Sequence, residues 1–225
     1  MSATPTANQP LTIDYYSDVL CVWAWIAQRR IEELKYQLND RIVIRYHYMD
    51  VFGDVAGKME KQWQSRGGFC GFAEHVRHSA ENFEHAEINP KLWVDVRPRS
   101  SAPCHLMTKA VESACGWQAA ENYALCLRKA FFCEAKDIAD WGVLKHLVEL
   151  QELDLPLIEA ELNNGTAMAA LMNDYQNAKA EGLKGSPSYV LDNGRQILFG
   201  NVGYRILAAN IEELLKNPSD EASWC

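Results

Sequence analysis

The 225-residue sequence has no two cysteines separated by two residues, no glycine-rich phosphate loop of the G-x-G-x-x-G or G-x-x-x-x-G-K-[ST] type, and no internal repeat. The first absence argues against a zinc knuckle and against a local dithiol, and the second against a nucleotide site. No stretch approaches the ~20 uninterrupted apolar residues of a membrane span. Met1 to Pro10 holds no Lys or Arg and no apolar run of the secretory kind, so a cytoplasmic location is expected, where thiols stay reduced. Positive charge is also short: 22 Lys and Arg against 30 Asp and Glu give a net charge of −8. A general attraction to nucleic acid or anionic lipid is therefore not expected.

What is present is an ordinary globular composition, 48% hydrophobic and 23% charged, in a chain long enough to build a core without disulfide or metal staples. Residues 11–16 (LTIDYY) alternate as a strand and end at Ser17-Asp18. Trp25, Ile26, Ile31, Leu34 and Leu38 then recur at helical spacing up to Asn39-Asp40. Residues 41–51 alternate again, which completes a βαβ unit. Helical patterns dominate from Phe72 to about Gly182 and are too long for a loop, so they imply a helical subdomain. Residues 188–191 and 196–199 read as short strands joined through Asn193-Gly194, a hairpin signal. Residues 203–215 read as an amphipathic helix, and 217–225 as a polar tail.

Chemistry points to Cys21, in the turn between the first strand and the first helix. The free N–H groups and partial positive charge of a helix N-terminus favour a thiolate, so a lowered pKa is expected there. The segment Ser17-Asp18-Val19-Leu20-Cys21-Val22-Trp23-Ala24-Trp25 resembles the active-site turn of DsbA-like thioredoxin-superfamily proteins, D-x-x-C-x-W-C-W/Y. Gly185-Ser186-Pro187-Ser188-Tyr189-Val190 is similar to that family's cis-proline loop. Leu198-Phe199-Gly200-Asn201-Val202-Gly203-Tyr204-Arg205 resembles the F-G-x-D-R segment of 2-hydroxychromene-2-carboxylate isomerases and class kappa glutathione transferases, with Asn201 and Gly203-Tyr204 departing from it.

The resemblance implies an α/β thioredoxin-like fold with an inserted all-helical domain: residues 10–52 and 183–217 form the thioredoxin-like part, and 53–182 the insertion. It implies Cys21 as the catalytic residue, with Trp23, Ser186, Pro187, Asn201 and His105 contacting substrate or glutathione. Ala24 stands where a dithiol enzyme has its resolving cysteine, so Cys21 cannot close a local disulfide. The expected function is a monothiol, glutathione-linked thiol-disulfide oxidoreductase without a metal. The alternatives are a glutathione-dependent isomerase or transferase, and a catalytically degenerate module binding a thiol or an extended peptide. A homodimer is left open.

The remaining candidates divide between chemistry and packing. Cys104 is a distant resolving thiol or a core residue, with core preferred. His105 is a proton carrier or a structural residue at the start of a helix. Asp18 shapes the turn or raises the Cys21 pKa, and the turn is preferred. Arg97-Pro98-Arg99 holds a substrate carboxylate or forms a solvated loop. Trp25, Cys115, Cys126 and Cys133 read as core.

Overall fold

The computed structural model describes residues 10–216; the polar tail expected at 217–225, with Cys225, and residues 1–9 lie outside the described residues. β1 (Leu11–Ser17) leads through a tight turn into α1 (Val22–Leu38), and a single 3-10 turn at Asn39–Arg41 delivers the chain to β2 (Ile42–Tyr48). β1 and β2 pair in parallel, Leu11 with Ile42 through Ser17 with Tyr48. The chain then passes through α2 (Val55–Lys58), a π turn at Met59–Trp63 and a 3-10 turn at Gln64–Arg66. Six helices follow before the sheet resumes: α3 (Gly68–Ala80), α4 (Ala102–Cys115), α5 (Trp117–Phe132), α6 (Trp141–Leu150), α7 (Leu155–Asn163) and α8 (Thr166–Ala180). Aspartate side chains start two of them, Asp140 accepting from the Val143 amide and Asp154 from the Leu157 amide.

β3 (Ser188–Leu191) returns antiparallel beside β1, and β4 (Gln196–Phe199) pairs antiparallel with β3. The sheet order is therefore β2-β1-β3-β4. Between β3 and β4, Asp192, Asn193 and Gly194 all take positive φ (49°, 55° and 92°), which the Asn-Gly pair tolerates. α9 (Tyr204–Leu215) closes the chain and buries Leu207, Ile211 and Leu214 with Ile13 and Tyr15 of the sheet and Ile31 and Leu34 of α1. This is the α/β, thioredoxin-like architecture expected.

β2 stops at Tyr48 rather than at Val51. The cause is local: the Phe52 amide turns inward to donate to the Asp18 carboxylate at 2.8 Å, and the Phe52 carbonyl accepts from the Ser101 amide at 2.9 Å. That capture bends the chain out of the sheet and ties the 50–53 turn to the N-terminus of α4. The cysteine turn belongs to the larger of the two main apolar cores. Val19, Leu20, Cys21, Val22, Trp25 and Ile26 pack with Phe52, Phe72, Trp93 and Phe131 rather than with the sheet-and-α9 core.

Candidate active site

Cys21 is the N-cap of α1, extended at φ −81° and ψ 118°, and its own carbonyl already accepts from the Ala24 and Trp25 amides at 3.1 Å each. The turn before it closes by a Cys21 N–H bond to the Asp18 carbonyl. The Ser186–Pro187 peptide bond is cis. The Cys21 thiol donates to the Ser186 carbonyl oxygen at 3.2 Å, while the Ser186 hydroxyl accepts from the Asp18 amide at 2.9 Å. Ser186 is thus bonded to the turn twice, through its carbonyl to Cys21, 165 positions away, and through its hydroxyl to Asp18, 168 positions away. The Pro187 carbonyl accepts from the Gly200 amide at 2.8 Å, which fastens the segment carrying Asn201 to the proline loop. Asn201 itself is exposed, and Trp23 is half-buried against the larger core.

Two buried groups, Asp18 and His105, hold the turn in place. Asp18, fully buried, accepts from the Leu20 amide on one oxygen, and from the Phe52 amide and the Ser101 hydroxyl on the other. Burial pushes its carboxyl up to about 6, against the pull of those three donors. His105 Nε2 accepts from the Val19 amide at 3.1 Å, which places the ring proton on Nδ1, and Nδ1–H donates to the Tyr175 hydroxyl at 3.0 Å. The ring stacks on Tyr48 with centroids 4.5 Å apart. Burial, with the Arg128 charge, holds its pKa down to about 3, so the imidazole is neutral.

His105 is at 0% exposure, with one ring nitrogen bonded to the Val19 amide and the other to the Tyr175 hydroxyl. One expectation needs correction. The Cys21 thiol is pushed up from its ordinary value, not lowered. Burial is the largest cause and Asp18 adds to it; the contact with Ser186 and the amides of Ala24 and Trp23 pull the other way. Cys104 is core, as preferred: it is fully buried, donates to the Ser101 carbonyl at 3.0 Å, and has its thiol pushed well up by burial. Arg97 donates to the Trp93 carbonyl and lies over Phe69, which makes it a loop clamp. Trp25 stacks on Phe132 and donates to the Glu87 carbonyl.

Sequence reasoning missed Tyr175, Lys58 and Arg128. An open space of about 480 Å³ lies between the 50–54 turn, Lys58, Lys61, Ala102 and Tyr175. Lys58 stands over the Phe52 ring at 4.9 Å, and its charge acts on both Asp18 and Cys21. Arg128, 2% exposed, donates to Ser17 at 2.9 Å directly beneath the turn. None carries a motif; only the fold brings them near residue 21. Among the described residues no group of three or more His, Cys, Asp or Glu is placed to hold a metal, and no helix is long and apolar enough to cross a membrane.

A cysteine capping the first helix, facing a cis-proline loop on a mixed sheet, defines the thioredoxin-like class. Within that class the chain belongs to the DsbA-like thioredoxin domain family, which it matches over residues 12–212. It is 24% identical over 228 residues to a protein described as a ClpXP adapter, SpxH of Shouchella clausii, with 93% of this chain and 68% of that protein covered. It superposes on the cytosolic disulfide reductase DsbM of Pseudomonas aeruginosa with a TM-score of 0.68 at 19% identity, covering 92% of this chain and 100% of the other; that protein has also been solved with glutathione. A 2-hydroxychromene-2-carboxylate isomerase aligns with a TM-score of 0.63 at 18% identity, over 94% and 100% of the two chains. At these identities the solved structures establish the fold.

Proposed function

We propose that this DsbA-like protein is a thiol-disulfide oxidoreductase that works through Cys21 alone, with glutathione as co-substrate and without a metal. The observation that carries the reading is the Cys21 thiol at the α1 N-cap, 3.2 Å from the Ser186 carbonyl, with an alanine and not a cysteine at position 24. In this reading the Cys21 thiolate attacks a mixed disulfide between glutathione and a substrate, releasing the substrate thiolate and leaving Cys21 bonded to glutathione. A second glutathione thiolate attacks that bond, regenerating the Cys21 thiolate and leaving oxidised glutathione. The mixed disulfide is reduced to the substrate thiol while one free glutathione thiol is oxidised, the two glutathione sulfurs leaving together as oxidised glutathione, so no further electron carrier is needed. Substrate backbone docks against Ser186 and Pro187, Trp23 and Asn201 border the bound thiol, and Lys58 supplies a cation whose charge acts on the developing thiolate. Residues 10–52 and 183–217 act as the thioredoxin-like unit, and 53–182 as its helical cover. A cytoplasmic setting, with reduced glutathione in supply, suits that cycle.

The test is incubation with oxidised glutathione followed by peptide mapping. An adduct on Cys21, absent from Cys21→Ser and removed by reduced glutathione, is expected. Modification confined to other cysteines would sink the monothiol cycle. Tight non-covalent glutathione binding without an adduct would instead favour isomerase or transferase chemistry, and neither behaviour would favour a binding module.

A further inference from the structure

Beneath the cysteine turn the chain buries positive charge that no carboxylate answers. Arg128 of α5 is 2% exposed; its Nη2 donates to the Ser17 hydroxyl at 2.9 Å and its Nη1 to Gln28 Oε1 at 3.4 Å, both neutral partners. Its Nε–H has no partner among the described residues. Arg30 of α1 is half-buried, with its guanidinium over the Phe83 ring at 5.6 Å and its buried Nη1 equally without a partner. Neither guanidinium meets a carboxylate among the described residues. The acids beside Ser17 and Arg30 in the chain are engaged elsewhere: Asp18 accepts from Leu20, Phe52 and Ser101, and Glu32 accepts from Gln28.

Two hydroxyls complete the cluster. Tyr15 of β1 and Tyr189 of β3 are register partners with ring centroids 5.2 Å apart; both are buried, and neither hydroxyl makes a hydrogen bond among the described residues. The Ser17 hydroxyl lies beside that of Tyr15, and the charges of both arginines act on both tyrosines. Four unused donors and two cations therefore share one buried region where α1, β1, β3 and α5 meet. A buried lysine or histidine can shed its charge with a proton, whereas a guanidinium keeps it. An unpaired charge is far more costly to bury than an unpaired hydroxyl. Water would satisfy the donors and leave the charge, but an anion answers both. Tyr15, Ser17, Arg128 and Tyr189 are each at 2% exposure or less, so the occupant has to be small.

We propose that a halide-sized monovalent anion binds in this region, held by Arg128 Nε, Arg30 Nη1 and the hydroxyls of Tyr15 and Tyr189. Hydrogen bonds from charged donors are roughly twice as strong as neutral ones, so the two guanidinium contacts supply most of the attraction. The bound anion ties α5, from the run of helices, to α1, β1 and β3 under the turn that carries Cys21. It takes no part in the thiol chemistry and does not depend on it.

The probes are chloride and bromide, with gluconate as an anion too large to enter. Thermal unfolding of the whole chain, with chloride replacing gluconate at constant ionic strength, should show Tm rising by several degrees over about a hundredfold range of chloride, because a ligand of the folded state alone stabilises it by mass action. Arg128→Met should abolish that rise. Tyr189→Phe keeps the ring and loses one donor, so it should need severalfold more chloride for the same rise; it carries the test if the Arg128 variant does not fold. Crystals grown in bromide should give an anomalous peak in contact with Arg128 Nε. The proposal is overturned by a Tm that ignores chloride, by a chloride response as large in Tyr189→Phe as in the parent, or by water in place of bromide at Arg128 Nε. A bromide peak without a chloride response in solution would mean binding at crystal concentration only, and would overturn it as well.

Discussion

The Cys21 sulfur stands where the free amides of a helix N-terminus favour a thiolate, and it is also 6% exposed beside a carboxylate. The magnitudes decide between these influences. A helix terminus contributes about 0.3–1 kcal/mol, less than one pKa unit, whereas full burial shifts a group by up to about 3–5 units. Cys21 therefore rests as a thiol bonded to the Ser186 carbonyl, and in the proposed cycle a substrate that displaces that carbonyl frees the sulfur to ionise. Among the described cysteines, iodoacetamide at pH 7 should modify exposed Cys70 before Cys21, and the Cys21 rate should keep rising beyond pH 9. Peptide mapping against pH checks both, and a Cys21 midpoint below the ordinary ~8.5 would refute them. The two buried groups under the turn act on stability with opposite signs. Asp18, raised to about 6, favours the fold at low pH, and its contribution is lost as pH climbs from the ordinary carboxylate value through 6. His105, held at about 3, contributes stability that is complete above 6.5 and is lost as pH falls towards 3. Between about pH 4 and 6 they offset one another.

At the scale of the element, α1 decides what the cysteine can do, because its first turn places position 24 one helical turn from Cys21. The Ala24 amide bonds the Cys21 carbonyl, so the turn is already tight there. Ala24→Cys should form a 21–24 disulfide under mild oxidation, since residues three apart on a first turn lie within disulfide reach. Ala24 is fully buried, so the reduced variant should lose roughly 1–3 kcal/mol from the added sulfur. Non-reducing peptide mapping and urea titration read the two effects, and failure to close the bond would mean that the side chains of the turn diverge. The elements legible in the sequence are those whose periodicity agrees with their packing: β1, α1, the Asn193-Gly194 hairpin and α9. The run from Met59 to Arg66 was opaque because π and 3-10 turns carry no fixed apolar period. β2 was read too long because nothing local announces that Asp18 will capture the Phe52 amide. Cys21, Ser186 and Pro187 were legible because turn chemistry marks them. Tyr175 sits on a helix 154 positions after Cys21, and only the packing of α8 beside α4 reveals that it receives the His105 proton.

Across the whole molecule, the sheet and the helices are joined at His47, whose ring nitrogens lie 2.9 Å from Asp14 on β1 and 2.9 Å from Asp174 on α8. Asp174 is buried; it also accepts from the Tyr48 amide at 3.1 Å and lies 3.3 Å from the Lys109 ammonium of α4. One carboxylate thus fastens α8, α4 and β2 together, with His47 as the charge that links it to β1. Burial opposes a charge on that imidazole, but the two carboxylates outweigh it and raise the pKa to about 9. A histidine raised in the fold stabilises it fully below its unfolded value near 6.5, and that stabilisation is lost as pH rises through 9. The shift corresponds to roughly 3 kcal/mol, the His47 side chain being 20% exposed. Urea unfolding at pH 6.5 and pH 9.5 should show the parent chain losing about that much, whereas His47→Gln, which carries no titrating charge, should lose little. The buried cysteines also bind protons more tightly in the fold than when unfolded, so they lower stability over the same range in both proteins. The difference between parent and variant isolates His47, and equal slopes would show that the clamp between sheet and helices is uncharged at neutral pH.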